Sequence, residues 1–305
     1  MESIAISTYP QVVWRAGKKM LWNTIHRKPL KNLPEERVRL RIIEFLIRAG
    51  WSKHRISTEE SIGKLAGTEM RTDIICYSQQ FEPRILVECK AEYVPISGDT
   101  ARQAARYNQH VEAPYLLLTN GVTDFWYQMG GQKVKKLGTR PSGLPENLSQ
   151  FQKNFEYWRE RGFAGEKASP VLRKWFMKML PEIWDSRHYA DIRYLSFNQE
   201  LSDLNLSHYY YVHSLEEERR LAFSTLTTAY GGSRMTAILN EQNKNRAVLE
   251  INLDLLFDES SRNTTVYSNG GTHLFDLSDY FDLDTFLKPS ELSEKLLEVI
   301  KEYAT

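Results

Sequence analysis

The sequence predicts an α/β protein in which a mixed sheet flanked by helices is followed by a helical segment and a β-rich second domain. Three observations predict it. A helical apolar stripe is followed by short apolar runs of strand length, a Gly- and Pro-rich break follows residue 130, and beyond residue 192 the texture changes to short strands and turns.

Residues 1–32 are basic, with Lys18, Lys19, Arg27, Lys28 and Lys31 interleaved with Trp14 and Trp22, and read as an arm or a short packed extension. Leu33-Pro34-Glu35-Glu36 is a helix start: proline is preset for the first turn, and the acids complement the positive end of the helix dipole. The helix runs to Ala49 with Val38, Ile42, Phe45 and Ala49 on one stripe, and Gly50 ends it. Strands follow at 56–62, 72–78 and 84–90, the last two joined by a QQFEP turn. Residues 99–111 read as a helix, 114–121 as a buried strand ending in Asn-Gly, and 123–129 as the returning strand of a hairpin. The expected organisation is therefore a first domain over 1–130, a linker over 131–150 and a second domain over 151–305. In the second domain, helices near 151–161 and 170–185 precede the strand-rich stretch of 192–285, and Pro289-Ser290 opens a last helix over 289–303.

The 305 residues are 41% hydrophobic and 26% charged, ordinary for a soluble globular chain with material for two cores. The net charge of +1 hides an asymmetry. Residues 1–140 carry 22 Lys and Arg against 14 Asp and Glu, whereas residues 141–305 carry 18 against 25. A basic first half suits a polyanionic partner such as nucleic acid. Cys76 and Cys89 fall in apolar runs without CxxC spacing, which reads as reduced thiols in a cytoplasmic protein. No apolar leader of signal-peptide type and no run of 18 apolar residues is seen, so no membrane association is expected.

The chemistry is carried by Asp73, Glu88 and Lys90. Glu88 and Lys90 are two apart on one strand and point to one face. With a turn centred near Phe81, antiparallel counting sets Asp73 opposite position 89, beside both. Two carboxylates with one ammonium suit phosphodiester hydrolysis. Mg2+ keeps several waters and needs only one or two carboxylates, the ion polarises a phosphate and acidifies water, and a lysine orients that water and offsets negative charge. Against this stands the solvated face that a Glu-x-Lys strand usually presents. The apolar run Arg84-Ile85-Leu86 ahead of Glu88, and Gln103 with Tyr107 on one face of the next helix, favour a site.

These residues, taken in order, resemble a known family. PEERVR at 34–39, RTDIICY at 71–77, ILVECKA at 85–91, Gln103 through Tyr107, and APYLLLTNG at 113–121 are similar to the N-terminal nuclease domain of type I restriction enzyme R subunits, within the PD-(D/E)xK superfamily. The resemblance spans about 34–129 and implies a restriction-endonuclease-like fold. It further implies that Asp73 and Glu88 ligate Mg2+ (Mn2+ as substitute) and that Lys90 acts on the attacking water. Glu36 is the match for the additional acid of the first helix, with Glu35 an alternative that periodicity does not separate from it. Gln103 and Tyr107 match the QxxxY element that supports DNA engagement. Thr72 stands where the superfamily name has proline, and no GxxxxGK[ST] phosphate loop is present, so no ATP-driven motor is expected in this chain.

Other signals read as structural. The run Tyr209-Tyr210-Tyr211 beside His208 and His213 fits a buried strand better than base stacking. The acids Asp276, Asp279, Asp282 and Asp284 lack the spacing of a calcium loop and read as a solvated turn. Gly231-Gly232 and Gly270-Gly271 read as turns, and no histidine spacing suits zinc. The expected activity is Mg2+-dependent hydrolysis of DNA in restriction or defence. Partners would be DNA and restriction-complex or motor subunits, and a homodimer is one way to cut both strands, since double-strand cleavage needs two active centres or two visits. The alternative is a DNA- or protein-binding module of nuclease fold that is inactive alone.

Overall fold

A computed structural model describes residues 1–65, 68–130, 133–142, 152–185, 191–197, 206–216, 218–256, 262–282 and 288–304. Residues 143–150 of the expected linker, and Asp284, lie outside the described residues. The chain divides into two compact units, Met1–Arg15 with Met20–Gln152, and Ala16–Lys19 with Lys153–Thr305.

The N-terminal residues form a small antiparallel sheet of β1 (Val12–Arg15), β2 (Lys18–Asn23) and β3 (Lys28–Leu30). In the first unit, Pro34 opens α1 (Pro34–Arg48) with Glu35 and Glu36 in its first turn, and Gly50 follows the cap at φ +95°. The stripe Val38, Ile42, Phe45 and Ala49 is buried. The main sheet has the order β4 (Ile56–Leu65), β5 (Thr68–Tyr77), β6 (Pro83–Cys89), β7 (Tyr115–Thr119), β8 (Asp124–Gly130) and β9 (Lys133–Leu137). Only the β6–β7 pair is parallel, and α2 (Gly98–Val111) makes its crossover. Helix α1 packs with Ile74, Cys76, Ile85 and Val87 on one face, while α2 packs with Ile75, Leu86, Leu116 and Leu118 on the other. Strands buried on both faces explain the near-continuous apolar runs of β6 and β7. Strand β9 falls in the segment that reads as a linker. Its lysines alternate with an exposed Val134, as an edge strand tolerates.

Arg41 ties the N-terminal residues to this layer. Its guanidinium donates to the carbonyls of Ala5, Ile6, Thr8 and Gly121, and pairs with Glu92 at 2.5 Å. The stretch before β1 is thus a packed extension rather than a free arm.

In the second unit, α3 (Phe155–Glu160) and α4 (Pro170–Trp184) precede a seven-stranded antiparallel meander. Its strands are β10 (Ile192–Phe197), β11 (Leu206–Ser214), β12 (Arg219–Thr227), β13 (Ser233–Glu241), β14 (Lys244–Asn252), β15 (Thr264–Ser268) and β16 (Gly271–Phe275). Helix α5 (Pro289–Tyr303) closes the unit and buries Leu292, Leu296, Val299 and Ile300. The central strands reach nine residues, longer than the short strands their turn-rich sequence suggests. Phe163 packs against Trp158, Trp184 and His208. The loop carrying it meets the β12–β13 turn so closely that a Cβ on Gly165 would lie 2.4 Å from the Gly231 carbonyl. Tyr209 and Tyr210 are buried in β11, and Asp276 caps the 3-10 turn Leu277–Asp279. Lys19 is buried with its Nζ 2.9 Å from His208 Nδ1. Burial, with the neighbouring ammonium, pushes the His208 imidazole well below its ordinary range. No helix among the described residues is long and apolar enough to cross a membrane.

Candidate active site

Strands β5 and β6 pair with Ile74 opposite Val87, Ile75 opposite Leu86 and Cys76 opposite Ile85. This register is one residue away from that of a turn centred at Phe81: Tyr77 opposite Pro83 centres the turn at Gln80, and the slip between Cys76 and Tyr77 recovers one of the two residues of difference. Carried one residue further, it sets Asp73 opposite Glu88 rather than opposite Cys89. The correction matters, since directly opposed side chains share a face and a one-residue slip would separate these two carboxylates. Asp73 Oδ2 accepts the Cys89 N–H at 2.7 Å, which fixes the carboxylate at the end of the ladder. Lys90 donates from Nζ to Glu88 Oε1 at 2.8 Å and lies 3.7 Å from Glu35 Oε1. Its backbone N–H donates to the Thr119 carbonyl, anchoring it to β7.

The electrostatics are those of crowded acids. Burial and then the charge of Glu88 push Asp73 up to about 7, against the opposing pull of the Cys89 N–H and Arg39. Burial also raises Glu88, with Lys90 pulling it back. Burial alone would lower Lys90, but Glu88, Glu35 and Asp73 outweigh it and hold the ammonium above its ordinary value. Cys76 and Cys89 are buried free thiols raised by burial, so neither supplies a thiolate.

The two acids at the start of α1 diverge. Glu36 is buried and pairs with Arg39 one turn on, whereas Glu35 is half exposed and faces Lys90. Gln103 donates from Nε2 to the Tyr107 hydroxyl at 2.9 Å. Their helix packs over the face that carries Ile75 and Leu86, which the β5–β6 register shares with Asp73 and Glu88. Arg39 and Glu59 went unnoticed in the sequence, yet both stand in the cluster. Arg39 lies 3.6 Å from Asp73 Oδ1 and 3.4 Å from Glu59 Oε1. The signal for Arg39 is present: Glu36 and Arg39 have the i,i+3 spacing at which opposite charges meet on a helix. Glu59 carries none, because it reaches Arg39 across the fold from a left-handed backbone at φ +54°.

Among the described residues, no three His, Cys, Asp or Glu side chains converge as a ready-made metal cage. Two opposed carboxylates, each raised by burial, still form the oxygen-rich, electronegative donor set that suits a cation retaining most of its waters. The residues therefore fit Mg2+ and do not fit a closed tetrahedral zinc site.

No curated protein matches the chain significantly. Asp73, Glu88, Lys90 and every residue around them nonetheless fall within residues 34–141, the segment that matches the family model of the type I restriction enzyme R protein N terminus.

Proposed function

We propose that the first unit is a restriction-endonuclease-like, PD-(D/E)xK nuclease that hydrolyses DNA phosphodiester bonds in a restriction or defence setting. The observation that supports this best is the placing of Asp73 and Glu88 together just past the last pair of the β5–β6 ladder, with Lys90 on Glu88, inside the family-matched segment. Like charges facing each other across strands oppose the ladder; Lys90 and Arg39 offset only part of the charge of the five acids gathered here, which favours a further cation. Asp73 and Glu88 would hold Mg2+ or Mn2+, with Glu35 or Glu36 as the further acid from α1. When bound, the ion polarises the phosphate and makes water more acidic. Lys90 orients the attacking water and offsets the charge that develops on the phosphate. Gln103 and Tyr107, already bonded to each other, would meet the DNA strand as one unit. Purified protein with plasmid DNA tests the reading: nicking that needs Mg2+, stops with EDTA and is lost in Asp73→Ala supports it, and nicking that persists in Asp73→Ala overturns it.

A second reading, a DNA- or protein-binding module that cleaves only with partner or motor subunits, is favoured by the family itself, which is one protein of a multi-subunit enzyme. DNA binding without nicking would support it. Either reading names DNA and the other subunits of a restriction complex as partners.

A further inference from the structure

We propose that Arg39 is the resident counter-cation of the site, a positioning residue that holds the acids together while no divalent ion is bound and opposes the ion when it arrives. The proposal rests on Asp73 being a ligand to the ion. Five carboxylates and two cations meet here, and they sort into two groups. Lys90 takes Glu88 and Glu35. Arg39 takes Glu36 through both Nε and Nη2, Glu59 through Nη2 and Asp73 through Nη1. Only a planar guanidinium spans carboxylates in so many directions at once.

The competition is written in the oxygens of Asp73. Oδ2 is committed to the Cys89 N–H at 2.7 Å, and the other oxygen, Oδ1, is the one Arg39 faces at 3.6 Å. An ion taken up by Asp73 would place two positive charges beside a guanidinium that is only 12% exposed and held by Glu36. Repulsion at such range, in a partly buried site, is worth about a factor of ten or more in affinity. A merely structural Arg39 predicts the reverse, because loss of its contacts would loosen Asp73 and weaken ion binding.

The test is calorimetric titration of Mn2+ into the full chain as wild type, Arg39→Gln and Arg39→Lys, with melting temperatures in EDTA and in saturating Mg2+. Arg39→Gln should bind Mn2+ about tenfold tighter. It should also melt about 3 °C or more lower in EDTA, with the deficit largely closed by Mg2+ as the ion replaces the lost charge. Arg39→Lys, which keeps the charge and loses the fork, should hold wild-type affinity. Should Arg39→Gln fail to fold, a tenfold change of affinity in Arg39→Lys would still overturn the proposal. Weaker or unchanged binding by folded Arg39→Gln, in a wild type that binds, also overturns it. A wild type that takes up no ion overturns the nuclease reading and the proposal with it.

Discussion

Both units place charged side chains on neighbouring antiparallel strands, and they do so in opposite ways. In the second unit, Glu250 on β14 lies 2.9 Å from Arg234 on β13, and the pair neutralises itself. In the first unit, Asp73 on β5 comes opposite Glu88 on β6, and the charge of Glu88 adds to burial in raising the proton affinity of Asp73. Opposite charges across a ladder stabilise and like charges oppose it. The Arg234–Glu250 pair is thus accounted for by the sheet alone. The Asp73–Glu88 pair is offset only in part, by Lys90 on Glu88 and Arg39 beside Asp73, and the excess of acids over cations there is the physical reason to seek a ligand.

The largest expected effect breaks the comparison on its functional side. Asp73→Ala or Glu88→Ala should reduce plasmid nicking by about a thousandfold or more, while circular dichroism shows the fold retained. Loss of the fold, rather than of nicking alone, would mean that the pair is structural after all.

The next effect concerns pH. The Asp73 carboxyl titrates at about 7 in the folded chain, above its unfolded value. Stability is therefore full below about pH 4, where the group is protonated in both states, and is lost as pH rises through 7. Asp73→Asn, which keeps an acceptor for the Cys89 N–H, should stabilise the protein in EDTA by about 4 kcal/mol at pH 8 and by less than about 1 kcal/mol at pH 4. A denaturant midpoint unchanged by the substitution at pH 8 would remove the claim that the folded site opposes the Asp73 charge.

A smaller effect tests the other side. Arg234→Met removes a cationic partner of the buried Glu250 and should destabilise the second unit by about 2 kcal/mol, read by urea unfolding. The smallest lies on α2, where Gln103→Ala should raise the KM for DNA a few-fold and leave kcat nearly unchanged, because its side chain is exposed and bonds only its helix neighbour Tyr107 among the described residues.

How far the chain is legible follows from the range of each interaction. Local signals read well: Pro34 and Gly50 bound α1, and Asn120 turns β7 into β8 through its side chain. Asp73, Glu88 and Lys90 stand out because charges interrupt apolar strands. The register between them does not, since it hinges on a slip at Cys76–Tyr77 that no residue type announces. Among Arg37, Arg39 and Arg41, three similar residues in one helix, only tertiary contacts separate the roles. Arg39 enters the acid cluster, and Arg41 holds the N-terminal segment. Lys19 and His208, 189 residues apart, leave no local trace of their contact.

The most direct test of the central claim is a titration of Mg2+ or Mn2+ into wild type and Asp73→Ala, run beside a plasmid nicking assay on the same preparations. The account predicts that the wild type binds the ion and nicks, and that Asp73→Ala loses both together. Ion binding and nicking that survive in Asp73→Ala would contradict it.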